Sequence, residues 1–226
     1  MIRIWKGYKE MRDVYFIRIS EGGAETLAKE LGGIGVTGSV TEEADLKRLV
    51  DAAMKEWGRI DGAVLSTGHP PKGDLLALTD EDWIKGLNLI ILNVARIARL
   101  VTPIMEKQGG GSIVNISTYA AFEPEPIFPI SCTLRAGLAS FAKLYADQYA
   151  GKNIRMNNIL PGFIDSLPEK EEFRARIPMG RYGRVEEIAG TISFLASDAS
   201  TYINGQDIVV DGGFLRASLS NLYQNE

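Results

Sequence analysis

The stretch Ser112-Ile113-Val114-Asn115-Ile116-Ser117-Thr118, set between Gly109-Gly110-Gly111 and a helix-period segment from Cys132, decides how the chain is read. Its apolar centre has the length of a strand, and the three glycines end the helix before it. Working outward toward the amino terminus, a helix capped by Thr79 or Asp80 runs to about Lys107, preceded by the strand Ala63 to Ser66. Before that come a helix from Glu42 to Trp57, with Leu46, Leu49, Val50 and Ala53 on one face, a strand from Gly33 to Gly38, a helix from Gly23 to Leu31 and the strand Val14 to Ile17. In the other direction the helix Cys132 to Tyr149 leads to a strand from Arg155 to Leu160, a proline-punctuated loop through Pro168, a helix from Val185 to Leu195 and a last strand from Gln206 to Val210. Strands alternating with helices in this way predict parallel βαβ units, hence an α/β fold.

Composition narrows the function classes. With 226 residues, 45% hydrophobic, the chain is long enough for a substantial core and is expected to form one domain over 1–226, with a mobile polar tail over 217–226. A net charge of −4 without a basic run speaks against a nucleic-acid surface, and charges interrupt the longer apolar stretches, so no membrane association is expected. The start, Met1 to Lys6, lacks the apolar region of a signal peptide, and one cysteine cannot form an internal disulfide; both favour the cytoplasm. Cys132 itself reads as a small buried hydrophobe. No metal site is expected.

The order and spacing of several short motifs resemble the short-chain dehydrogenase/reductase family from about Val14 to Gly213. They are Arg59-Ile60-Asp61-Gly62-Ala63-Val64, Ser112 to Ser117, Ile154-Arg155-Met156-Asn157, Pro161-Gly162, Ile177-Pro178-Met179-Gly180-Arg181 and Asp211-Gly212-Gly213. The resemblance implies a Rossmann-like doubly wound parallel sheet, NAD or NADP as cofactor, and a small carbonyl or alcohol as substrate. In the family a Ser at the strand end polarises the carbonyl, a Tyr acts as acid/base, and a Lys lowers the Tyr pKa and holds the nicotinamide ribose. Those positions here are Thr118, Ser131 and Arg135. Thr118 keeps a hydroxyl donor, whereas Ser131 is a far weaker acid than a phenol and Arg135 stays protonated near neutrality.

The cofactor markers diverge in the same direction. The family's adenine-contacting Asp is Ser39, and its Asn-Asn-Ala-Gly turn reads Leu65-Ser66-Thr67-Gly68, keeping Gly68. The nicotinamide-side pattern persists in Pro161, Gly162, Ile164 and Ser166. At the position that selects NAD or NADP, Ser20 is neutral and Arg18 leans toward a phosphate. The family's buried Asn falls at Ile90, with Asn93 one turn away as a substitute. His69 is expected on the pocket rim, Tyr145 and Tyr149 in the core or an interface, and Phe122, Phe128 and Phe163 around an apolar pocket; Tyr119 is expected to point away from Thr118.

The largest departure is at the start. Val14 to Arg18 matches the family's second strand, so the usual first strand, glycine-rich turn and first helix are expected to be lacking; Gly32-Gly33-Ile34-Gly35 enters a strand and reads as a turn rather than a phosphate loop. Met1 to Trp5 alternates like a strand, but residues 6–13 are too few for a helical parallel crossover. Either the amino terminus pairs differently, or the second and fourth strands meet directly, or the chain is a truncated gene product.

Three readings follow: a divergent NAD(P)-dependent oxidoreductase, a cofactor-independent enzyme similar to the halohydrin dehalogenases, which also place Arg where Lys would be, or a non-catalytic binding or regulatory protein. A homodimer or homotetramer is expected from surplus apolar stripes: Ile84, Leu87, Ile91, Ala95 and Ala98 against Ile90, Ile97, Leu100 and Ile104 on one helix, and Ala139, Ala142 and Ala146 against Leu138, Phe141 and Tyr145 on the next.

Overall fold

The computed structural model describes residues 2–5, 14–18, 23–31 and 33–215. The segments 6–13 and 19–22, with Ser20, and the expected tail 217–226 lie outside the described residues. Seven strands form one sheet: β1 (Ile2–Trp5), β2 (Val14–Arg18), β3 (Ile34–Thr37), β4 (Gly62–Ser66), β5 (Gly111–Ile116), β6 (Ile154–Pro161) and β7 (Asp207–Val210), in the order β3-β2-β1-β4-β5-β6-β7. The helices are α1 (Gly23–Leu31), α2 (Glu43–Trp57), α3 (Asp80–Leu87), α4 (Asn93–Gln108), α5 (Pro129–Tyr149), α6 (Glu171–Arg174) and α7 (Val185–Ala196). Of these only the single-turn α6, between the proline-punctuated loop through Pro168 and the helix expected from Val185, falls where no element was expected.

The central slot is filled, and filled backwards. β1 pairs antiparallel with both β2 and β4, Ile2 lying opposite Ile17 and Leu65, while β2 and β3, and β4 to β7, pair in parallel. Of the alternatives open at the start of the chain, the amino terminus pairs differently. An antiparallel neighbour can be reached by a short connection, whereas a parallel one needs about a dozen residues or more.

Period-2 alternation sends the strands' apolar residues to both faces. Ala63, Leu65, Ile113, Ile154 and Met156 pack under α2, α4 and α5 with Leu46, Leu49, Ile97, Val101 and Leu138. On the opposite face Val64, Val114 and Ile159 pack under Leu195 and Ala196 of α7. The expected inner face of α2 is the observed one, since Leu46, Leu49, Val50 and Ala53 are its buried residues.

The long helix is not one regular rod. Thr79 closes its start with a reciprocal capping box to Asp82, but a π turn over Asn88–Leu92 separates α3 from α4. A π turn spends more residues per turn and rotates whatever follows. The stripe expected through Ile84, Leu87, Ile91, Ala95 and Ala98 therefore does not keep to one side: Ile84 and Leu87 are exposed, Ile91 and Ala95 half-buried, Ala98 buried. Residues 80–108 are long and apolar enough by length and composition to cross a membrane; here Ile90, Val94, Ile97, Val101 and Met105 are buried against the sheet. On α5 both expected stripes turn inward, with Leu138, Ala142, Tyr145 and Ala146 buried and Ala139 and Phe141 half-buried. Its open side carries Ala136, Gly137, Ser140 and Leu144 instead.

Candidate functional site

In a doubly wound sheet ligands bind at the carboxyl ends of the parallel strands. Here that edge is made by the residues following β4, β5 and β6, with the first two turns of α5 packed beneath them. Ser131 and Arg135 stand one helical turn apart on the same face of α5, which brings their side chains together. Both are buried, and Arg135 Nε donates to Ser131 Oγ at 3.2 Å. The rest of the guanidinium ties the strand ends to each other. Nη1 donates to the Ile116 carbonyl at 3.1 Å, and Nη2 to Thr67 Oγ1 at 3.3 Å and the Gly68 carbonyl at 3.4 Å.

Four of the five guanidinium N–H groups are thus directed at named acceptors. Burial lowers the Arg135 pKa from 12.5 to about 10, so the cation persists at neutral pH. No carboxylate among the described residues forms an ion pair with it.

Thr118 follows β5 immediately, and its Oγ1 accepts from the Ala120 amide at 3.5 Å, capping the short turn Tyr119–Ala121. Tyr119 does turn away, into an aromatic cluster with Phe163 at 5.8 Å and Phe214 at 5.0 Å between ring centroids. Burial, then Glu125, push its phenol up to about 12, so it is a poor proton donor at neutral pH. Phe163 stacks on Phe173 at 4.7 Å and, with Phe128, joins the same cluster; Phe122 is exposed. Cys132 is buried there, accepting from the Glu125 amide at 3.3 Å, as expected of a packing residue.

The remaining marker positions are spread along the edge. Ser39 is taken up by the start of α2: its amide donates to Asp45 Oδ2 at 2.7 Å and its hydroxyl pairs with Thr41 Oγ1 at 2.8 Å. Pro161 ends β6, and the Gly162 amide donates to the Val210 carbonyl at 3.1 Å. A side chain at Gly162 would meet Asp211 Cβ at 2.7 Å, so the close approach of these two loops requires glycine. Ile164 bridges to Gly183 beside a cavity of about 90 Å3, and Ser166 is exposed. Ile90 and Asn93 are both fully buried, Asn93 Nδ2 donating to the Leu89 carbonyl at 3.1 Å. Tyr145 hydrogen-bonds Thr102, and its ring lies 4.5 Å from that of Tyr149.

His69 lines a cavity of about 350 Å3 together with Thr41, Pro70, Lys85, Asn88 and Leu89, and none of Thr118, Ser131 and Arg135 is in that lining. Partial burial first, then the cations Arg135 and Lys72, lower its pKa, which favours neutral imidazole. Arg96 braces the cavity floor through the Thr41 carbonyl at 2.8 Å and Asn88 Oδ1 at 3.0 Å. Among the described residues no group of three His, Cys, Asp or Glu side chains is placed to hold a metal ion.

The structure thus gathers Ser131, Arg135 and Gly68 and leaves Ser39 and Ser166 apart from them. It adds Thr67, which sequence reading passed over as part of a degenerate turn; its place directly before Gly68, after a strand, was the available signal.

A family profile described as enoyl-(acyl carrier protein) reductase matches residues 9–215. The chain belongs to the short-chain dehydrogenase/reductase family. It is 36% identical over 209 residues to a 3-oxoacyl-(acyl-carrier-protein) reductase of Thermotoga maritima, covering 87% of this chain and 85% of that protein. It is 37% identical over 194 residues to human dehydrogenase/reductase SDR family member 4, covering 80% and 70% respectively. To a D-threitol dehydrogenase of Mycolicibacterium smegmatis it is 31% identical over 211 residues, covering 88% and 81%. Membership makes it an oxidoreductase-family protein, and the family's cofactor is NAD(P).

The residues at the cofactor's two ends fit that group poorly. At the pyrophosphate end the central strand runs the wrong way: β1 presents its amino end, Ile2 opposite Leu65, at the edge where a phosphate loop would leave a strand. At the other end stands Arg135, the residue expected from the resemblance to hold the ribose, and its Nε and Nη2 are engaged by Ser131 and Thr67.

Proposed function

We propose that this protein is an oxidoreductase by descent whose crevice binds a small carbonyl- or alcohol-bearing ligand without orthodox Ser-Tyr-Lys proton transfer, and that it holds NAD or NADP weakly or not at all. The observation that carries this reading is the closed set of bonds around Arg135. A residue that must grip a ribose cannot also spend Nε, Nη1 and Nη2 on Ser131, Ile116, Thr67 and Gly68. Thr118 and Ser131 would orient the ligand through their hydroxyls beside Gly68, with Pro161, Gly162 and Ile164 farther along the same edge and Ser39 and Ser166 outside its reach. Neither hydroxyl is acidic enough to replace a phenol, a loss of about 10² to 10⁴ in rate for a positioned acid/base.

Calorimetric titration of the full chain with NADH and with NADPH tests this. No binding in the micromolar range is expected, and micromolar binding of either would overturn it.

We further propose a cytoplasmic homodimer or homotetramer. Ile84 at 58% exposure, Leu87 at 37% and Leu144 at 69% place apolar side chains on the outer faces of α3 and α5, beside the small residues Ala136, Gly137 and Ser140. Light scattering should give twice or four times the mass of the chain; a monomer at micromolar concentration would reject the assembly.

A further inference from the structure

The bonds around Arg135 give the carboxyl-end edge of the sheet a defined hydrogen-bond polarity. Nε and Nη2 of Arg135 form one edge of the guanidinium, the edge that matches the two oxygens of a carboxylate. That edge is aimed at two hydroxyl oxygens instead, Ser131 Oγ at 3.2 Å and Thr67 Oγ1 at 3.3 Å. Arginine cannot accept a hydrogen bond, so each hydroxyl is the acceptor in that contact and its own proton is directed elsewhere. Among the described residues neither hydroxyl donates to a protein acceptor. Ser131 is buried and Thr67 half-buried at the open end of β4, so two O–H donors backed by one cation stand at the same edge of the sheet.

The charge around them is one-sided. Arg135 is only 4% exposed and has no carboxylate partner among the described residues. Lys72, whose ammonium lies 4.8 Å above the Phe128 ring at the start of α5, likewise pairs with no described acid. A cation buried this deeply is costly unless an anion comes near it. A neutral carbonyl could accept from the two hydroxyls but would leave that charge uncompensated.

We propose that the Ser131 and Thr67 hydroxyls, polarised from behind by Arg135, bind the carboxylate of a small organic acid. This rests on the reading of the crevice as a small-ligand site and names the ligand class for it.

The test uses the full chain with acetoacetate and acetate as probes, acetone and acetamide as neutral counterparts, and ionic strength held constant with chloride. Binding is followed by ligand-detected NMR and by the thermal midpoint, with no nicotinamide present. Saturable binding of the two carboxylates, absent for the neutral pair, is expected. Ser131→Ala and Thr67→Val, which keep the cation, should each weaken it about tenfold, the usual effect of losing one bond to a charged group, while Leu144→Ala on the outer face of α5 should bind as wild type. Equal binding of acetone and acetoacetate, wild-type affinity in both hydroxyl variants, or displacement by chloride as effectively as by acetate would each overturn the proposal. Because no nicotinamide is used, a failure here leaves the weak-cofactor reading standing, and micromolar NADH binding would sink that reading without touching this one.

Discussion

Arg135→Met removes a side chain that joins the carboxyl ends of β4 and β5 to α5, and its cost can be worked from the structure. Four hydrogen bonds are lost, to Ser131 Oγ, the Ile116 carbonyl, Thr67 Oγ1 and the Gly68 carbonyl. At the low end of the range for bonds involving a charged group, about 1.5 kcal/mol each, the gross loss is roughly 6 kcal/mol. Against this stands the desolvation of the cation. A pKa lowered from 12.5 to about 10 means that the folded state disfavours the charged form; at about 1.4 kcal/mol per pKa unit, removing the charge returns about 3 kcal/mol. The net expectation is destabilisation by about 3 kcal/mol, or a thermal midpoint lower by roughly 6 to 12 °C for a chain of this size. Urea and thermal unfolding of both proteins at pH 7 measure it. A methionine variant as stable as wild type would refute the reasoning, because it would mean that the four bonds do no more than offset the desolvation, leaving the guanidinium with no bracing role.

Tyr145→Phe should lose about 1 kcal/mol at neutral pH, the worth of its bond to Thr102, yet gain in alkali. Burial pushes the phenol up to about 12 from 10.0, so its stabilising contribution is complete below pH 10 and is lost as pH rises through 12; the two stability curves should cross at about pH 10.7, and parallel curves would reject the shift. Arg135 has the opposite sign: its lowered pKa makes the unfolded chain bind more protons between about pH 10 and 12.5, so the methionine variant should lose stability faster than wild type over that window. Gly86→Ala should destabilise by about 1 to 3 kcal/mol by thermal melt, because the new methyl would press on Ile130 Cγ2 and lie 3.1 Å from Leu134 Cδ1 where α3 meets α5.

The fold was legible because strand-length apolar runs and helix-period segments alternate without ambiguity from Ala63 onward. The sense of β1 was not. A period of two reads the same in either direction, so Ile2 and Ile4 announce a strand and say nothing of its polarity. Only the length of the connection, residues 6–13, bore on it. The π turn was hidden for a different reason: Asn88–Leu92 contains no glycine or proline, and one inserted residue leaves the apolar pattern readable as a helix while changing which residues face outward. That is why the stripe through Ile84 and Ala98 drifts from exposed to buried, although both residues fit a single helical face on paper. At the candidate site, spacing alone paired Ser131 with Arg135. It could not supply Thr67, which arrives from β4 and meets Arg135 across 68 positions of chain.

The reversal of β1 and the bonding of Arg135 bear on the same question, which groups at this edge can attract negative charge. In a Rossmann-like sheet a helix opening after the central strand does this with backbone amides and its dipole. With β1 antiparallel, the amino end of a strand stands there, and no described helix opens directly from it. Positive potential at the edge then comes from side chains, Arg135 below and Lys72 beside Phe128. A helix dipole acts at its own terminus and suits a phosphate group placed against it. A buried guanidinium acting through two hydroxyls instead offers an anion two O–H donors. On this geometry the edge suits a small acid better than a dinucleotide.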